Sequence, residues 1–85
     1  MRVTIRLFAS LREAAGRGDL SLELAGAATP EDAWRALVAM HPALAERRAS
    51  LAAAVNRSYA RFDAPLSDGD ELAFIPPVSG GAAQD

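Results

Sequence analysis

Residues 29–42 read Thr29-Pro30-Glu31-Asp32-Ala33-Trp34-Arg35-Ala36-Leu37-Val38-Ala39-Met40-His41-Pro42, and this stretch decides the fold. Thr29 offers the side-chain oxygen of an N-cap, Pro30 suits the first helical position, and Glu31 and Asp32 place negative charge at the positive end of the helix dipole. Ala33, Trp34, Leu37, Val38 and Met40 recur at spacings of three and four, which gives one apolar face. Pro42 then disfavours helical geometry at His41. The pattern predicts one main helix over residues 30–41 whose Trp34 face needs a surface to cover it.

Working outward, that surface is a sheet. Upstream, Val3, Ile5 and Leu7 alternate with Arg2, Thr4 and Arg6, and Leu20, Leu22 and Leu24 alternate with Ser21 and Glu23. Both have the period of two expected of half-buried strands. Between them Ala9 to Ala15 favours a short helix that Gly16-Arg17-Gly18-Asp19 stops. Downstream, Pro42 to Ser50 suits a second short helix, with Leu44 inward and Glu46, Arg47 and Arg48 in solvent. Ala53 to Asn56 and Ser58 to Phe62 read as short strands, Asp68-Gly69-Asp70 as a turn, and Glu71 to Ile75 as a last strand with Leu72 and Phe74 on one face.

One helix between two pairs of strands, in so short a chain, buries its apolar face only against one side of a mixed sheet. The expected fold is therefore α+β, a β-grasp or ubiquitin-like roll, with the apolar first and last strands side by side, parallel, at the centre. A ferredoxin-like sandwich would require a second long helix, which the sequence lacks. Residues 1–78 form the expected domain, and 79–85 a flexible Gly-Gly tail.

Composition narrows the chemistry. The chain has 85 residues, 51% hydrophobic and 24% charged, with a net charge of −2, so one small folded domain is expected. All nine basic residues are arginine, which excludes a lysine Schiff base or nucleophile. With no cysteine and one histidine, thiol chemistry is excluded and no metal site is expected. A mildly acidic balance argues against nucleic acid as a partner, and the short apolar runs argue against a membrane, so a cytoplasmic location is expected.

The bland readings are these. Asp68-Gly69-Asp70 lacks the further carboxylates of a calcium loop and is read as a turn. His41 is read as surface capping at a helix end, and Trp34 as core. Phe62, Phe74, Ile75, Pro76 and Val78 are more apolar groups than one sheet edge covers, which points to a partner surface. After Ile75 the chain reads Pro76-Pro77-Val78-Ser79-Gly80-Gly81-Ala82-Ala83-Gln84-Asp85. Two prolines stiffen the exit, and two glycines strip side chains from one point of the backbone.

These residues carry a resemblance. Leu51 to Asn56, then Phe62-Asp63 followed by Pro65-Leu66, Asp68-Gly69-Asp70-Glu71, Phe74-Ile75-Pro76-Pro77-Val78-Ser79-Gly80-Gly81, together with Leu7-Phe8-Ala9 and Arg12-Glu13, are similar to the molybdopterin synthase small subunit, the MoaD family of sulfur carriers. The match runs over residues 2–81. The thiamine-pathway ThiS carriers resemble the chain second, sharing the fold, the Asp-Gly-Asp turn and Gly-Gly.

The resemblance implies a cosubstrate more than an enzyme, with no bound cofactor and its reactive group at Gly81 beside Gly80. An adenylating enzyme of the ubiquitin-activating kind would use ATP to activate the Gly81 carboxylate, and a sulfur donor would convert it to a thiocarboxylate. The tail would then enter the large synthase subunit, in a heterotetramer, and give its sulfur to cyclic pyranopterin monophosphate. Phe8, Arg12, Phe62, Phe74, Ile75, Pro76, Pro77, Val78 and Ser79 are the expected partner contacts. One departure stands out: Ala82 to Asp85 follow Gly81, so its carbonyl is an amide while they remain. Removal by a protease is the favoured explanation, beside an appended expression sequence or a homologue that has kept only an interaction role. The alternatives to the first reading are a sulfur carrier for thiamine or amino-acid synthesis and a β-grasp binding module whose tail has no chemistry.

Overall fold

The computed structural model describes residues 1–77. Val78, Ser79, Gly80 and Gly81, the 78/79 boundary and the tail lie outside the described residues. Strands β1 (Arg2–Leu7), β2 (Asp19–Glu23), β3 (Ala52–Val55), β4 (Ser58–Ala60) and β5 (Glu71–Ile75) form one sheet in the order β2-β1-β5-β3-β4. Helices α1 (Ala9–Ala15) and α2 (Pro30–Met40) and a 3-10 helix (Pro42–Ser50) fill the connections. β1 and β5 run parallel at the centre, with Ile5 opposite Leu72 and Leu7 opposite Phe74, and every other pairing is antiparallel. This is the expected β-grasp roll.

Helix α2 starts where its sequence says it should. The Asp32 N–H donates to Thr29 Oγ1 at 3.2 Å and the Thr29 N–H donates to Asp32 Oδ2 at 3.0 Å, a reciprocal capping box. A third first-turn donor, the Glu31 N–H, bonds to the Phe62 carbonyl at 3.0 Å. That bond explains why β4 ends at Ala60, short of the expected Phe62: the backbone leaves the sheet to satisfy a helix end. β3 in turn ends at Val55, because Asn56 and Arg57 take left-handed φ values of 50° and 73° in the hairpin turn.

The core lies between α2 and the inner face of the sheet. Val3, Ile5, Leu7, Leu72 and Phe74 project from the two central strands, and Trp34 meets Phe74 edge-on with ring centroids 5.1 Å apart. Each such large apolar side chain contributes about 1.5 to 3 kcal/mol relative to exposure. Trp34 is core, as expected. Met40 is not: six residues beyond Trp34, the helical period turns it to the flank, where it is 53% exposed.

Arg48 is a second correction. Expected in solvent, it is half-buried, with Nε and Nη2 donating to Glu31 Oε1 at 2.8 and 2.6 Å and its guanidinium carbon 3.5 Å from the centre of the Phe62 ring. Its aliphatic stem and flat head cover a ring that the short β4 leaves at the edge of the core.

The Asp68-Gly69-Asp70 segment is the turn that sets β5 beside β1. Asp68 Oδ1 accepts from the Arg2 N–H at 2.7 Å, Asp70 Oδ2 accepts from the Ser67 N–H at 2.8 Å, and Asp70 Oδ1 accepts from Asn56 Nδ2 at 2.9 Å. Gly69 takes a φ of 87°, which a side chain would strain. Both carboxylates are thus engaged by neighbours of the turn, and no cluster of metal-ligating side chains occurs among the described residues. The capping of α2 by His41 is made by its backbone N–H, 2.8 Å from the Leu37 carbonyl, while Nε2 of its half-buried ring finds no partner among the described residues.

Candidate functional site

Because side chains alternate along a strand, the residues between the core positions face away from α2. Arg6 of β1 lies beside Ala73 of β5, Ala73 beside Ala54 of β3, and Ala54 beside Tyr59 of β4. The small Ala54 and Ala73 leave this outer face low, and a depression of about 360 Å³ opens there, with Phe8, Tyr59 and Ile75 among its lining. Tyr59 is 80% exposed and Phe8 41%. Arg57 and an ion pair between Arg6 and Glu71, 3.1 Å apart, also line it. An apolar floor rimmed by both signs of charge is the composition of a docking surface.

The second component is the exit of β5. Ile75 is the last residue in the ladder, paired with Ala52. Pro76 and Pro77 have no N–H to donate, so the sheet stops there and the chain leaves from its central strand. Pro76 is half-buried and Pro77 exposed, and both line a depression of about 300 Å³ with Ser10, Arg47 and Leu51. Pro77 thus follows directly on the middle strand of the sheet, which is paired on both sides.

The expected contacts separate into groups. Phe8 and Ile75 lie on the outer face, and Pro76 and Pro77 at the exit. Arg12 is exposed on α1, away from both, with its guanidinium close to Gly18: a Cβ added there would lie 3.2 Å from Nε. Phe74 is wholly buried and belongs to the core rather than to a contact surface, whereas Phe62 is half-buried, stacks on it at 6.1 Å beneath Arg48 and lines a surface depression with Arg61 and Asp63. The strand pattern predicts which β5 residues face inward, and Phe74 follows that pattern.

Tyr59, Arg57, Arg6 and Glu71 are site residues that motif reading passes over. Their signal lies in position: Arg6 and Glu71 are outward neighbours of core residues along their strands, Arg57 is in the hairpin turn and Tyr59 is in the short strand that follows it. Near Phe62, the exposed Asp63 accepts two hydrogen bonds from Arg61, at 2.9 and 3.2 Å. That bonding holds the Asp63 carboxyl below its usual range and raises the Arg61 guanidinium, with their mutual attraction acting in the same direction.

Comparison with known proteins places this geometry. The ThiS family model matches residues 5–81. The molybdopterin synthase sulfur carrier subunit of Chlamydomonas reinhardtii is 40% identical over 83 residues, covering 95% of this chain and 100% of that protein. Among solved structures, SAMP1 of Haloferax volcanii, a small archaeal modifier protein, superposes with a TM-score of 0.87 at 37% identity, covering 95% of this chain and 100% of that one. A complex of subunits 1 and 2 of the molybdopterin-converting factor of Helicobacter pylori matches with a TM-score of 0.67 at 26% identity, over 95% of this chain and 100% of the matched chain. The β-grasp roll, the exit from its central strand and a family match that runs through Gly81 lead to one statement: this chain belongs to the ThiS family, and the molybdopterin synthase sulfur carrier subunits are among its relatives.

Proposed function

We propose that this chain is the sulfur-carrying small subunit of a molybdopterin synthase. The observation that carries the reading is where the family match stops. It ends at Gly81, six residues beyond the last strand residue, Ile75. Six extended residues reach about 20 Å at ~3.3 Å each, enough to place a terminal group deep in another protein while the sheet stays outside.

In this reading residues 82–85 are removed and the Gly81 carboxylate becomes the reactive group. A carboxylate is a poor electrophile. An adenylating partner would join it to the adenylyl group of ATP, releasing pyrophosphate, and a sulfur donor would displace AMP to leave a thiocarboxylate. The large subunit would then receive the tail, and the sulfur would pass to cyclic pyranopterin monophosphate. The outer sheet face, with Phe8, Tyr59 and Ile75, would dock these partners, and Gly80 and Gly81 would let the backbone approach closely because neither has a Cβ.

A second reading is favoured by the likeness to a small archaeal modifier protein. The same activated end would pass to an amine of another protein. The test of both is the intact mass of the untagged chain isolated from its native cells. A chain ending at Gly81 with one oxygen replaced by sulfur is the expected result, and Gly81 found in amide linkage to other proteins would favour the second reading. Full-length mass in every molecule would overturn both.

A further inference from the structure

The nine basic side chains are all guanidinium groups, and the chain has no lysine. An arginine stays protonated and has no free lone pair on nitrogen at neutral pH, so it does not attack an acyl group. The one primary amine of the 85-residue chain is the α-amino group of Met1. It is tied down: it donates to the Leu24 carbonyl at 2.7 Å and lies 3.7 Å from Glu23 Oε2. The Leu24 N–H returns a bond to the Met1 carbonyl at 2.7 Å, so Met1 and Leu24 extend the β1–β2 pairing by one more step. To act as a nucleophile this amine must first leave that pairing.

This matters for a protein whose own carboxyl terminus is activated. An acyl-adenylate or thioester at Gly81 is attacked by any accessible amine: nitrogen bonds to the carbonyl carbon, AMP or thiol departs with the electron pair, and the amine's proton goes to solvent. A lysine on one copy would capture the acyl group of another, and the donor copy's end would be lost in an amide. We propose that this chain is an acyl donor and never an acyl acceptor: its activated end reaches other molecules but not copies of itself. No polymer of copies forms, and any transfer to another protein adds single copies. The proposal rests on the reading in which Gly81 is activated.

Two measurements test it. In the first, the full chain is treated with sulfosuccinimidyl acetate, an amine-selective acyl donor, and followed by intact mass. The folded chain is expected to remain unmodified over a time in which the urea-unfolded chain gains one acetyl group. An Arg35→Lys variant, altered at a helix-surface arginine whose side chain is 72% exposed, is expected to gain one while folded. Equal acetylation of the folded and unfolded natural sequence would show an open amine and overturn the guarding of Met1.

In the second, residues 1–81, which contain every strand and helix of the described residues, carry a chemically installed C-terminal thioester. The natural sequence is expected to give hydrolysis alone, with complete loss of the covalent dimer that Arg35→Lys forms. Added free glycine should be captured, showing that the end is reactive. A covalent dimer of the natural sequence would overturn the proposal. Because the thioester is installed by chemistry, this result does not depend on whether cells activate Gly81, which the intact mass from native cells reads separately.

Discussion

On the inner face of the sheet Val3, Ile5, Leu72 and Phe74 are wholly buried beneath α2, whereas one residue along the same strands Arg6, Ala73 and Ile75 face a depression beside Tyr59, which is 80% exposed. The two faces share a backbone and differ by a single step of alternation. On the inner face every side chain touches others of fixed shape, so a change there registers as lost stability. Among the described residues the outer face has no packed neighbour above it, so a change there should register only when a partner arrives. In the proposed function, stability and recognition thus fall to alternate residues of the same strands.

The comparison breaks most readily at its largest effect. Phe74→Ala removes a ring packed by Trp34 and Phe62 and is expected to cost about 3 to 5 kcal/mol, a large part of the ~4 to 13 kcal/mol available to a chain of this length. Urea unfolding measures this, and a loss below about 1 kcal/mol would mean that the inner face is not the seat of stability. Next in size, Tyr59→Ala should leave the urea midpoint in place while weakening binding to the large synthase subunit by about 2 kcal/mol, roughly thirtyfold. Calorimetric titration would show this, and lost stability with unchanged affinity would reverse the roles of the faces. The smallest effect sharpens the contrast at the hairpin tip. Arg57→Gly relieves a left-handed residue worth ~1 to 2 kcal/mol, offset by about 0.5 to 1 kcal/mol of added freedom in the unfolded glycine. A net stabilisation of about 0.5 kcal/mol, read from thermal unfolding, would show that the outer rim holds strain the inner face does not.

Much of this arrangement is legible in the sequence, and the reasons differ from place to place. Thr29 to Asp32 announce their helix because a cap, a proline and two carboxylates are local devices whose partners lie within one turn. β1 and β5 announce themselves through alternation, and their parallel pairing follows from the helix that must cross between them. The chain is harder to read where a long-range bond decides. The length of β4 is set by the Glu31 N–H that claims the Phe62 carbonyl, and Arg48 leaves solvent because of Glu31 and Phe62, 17 and 14 residues away in the chain. The site divides in the same way. Pro76 and Pro77 are visible as an exit, Ile75 as apolar surplus and Phe8 through the resemblance, but Tyr59 and Arg57 join them only through the strand order, which brings residues 6, 57, 59 and 73 to one depression.

The parallel pairing of β1 and β5 also has a mechanical consequence. A pull between the start of β1 and the end of β5 drags the two central strands past one another along their length. The slanted hydrogen bonds that join Thr4 through Leu7 to Glu71 through Phe74 are then loaded together, in shear, instead of opening one after another like a zip. In the proposed function, a tail drawn into the large subunit would tug along that same strand.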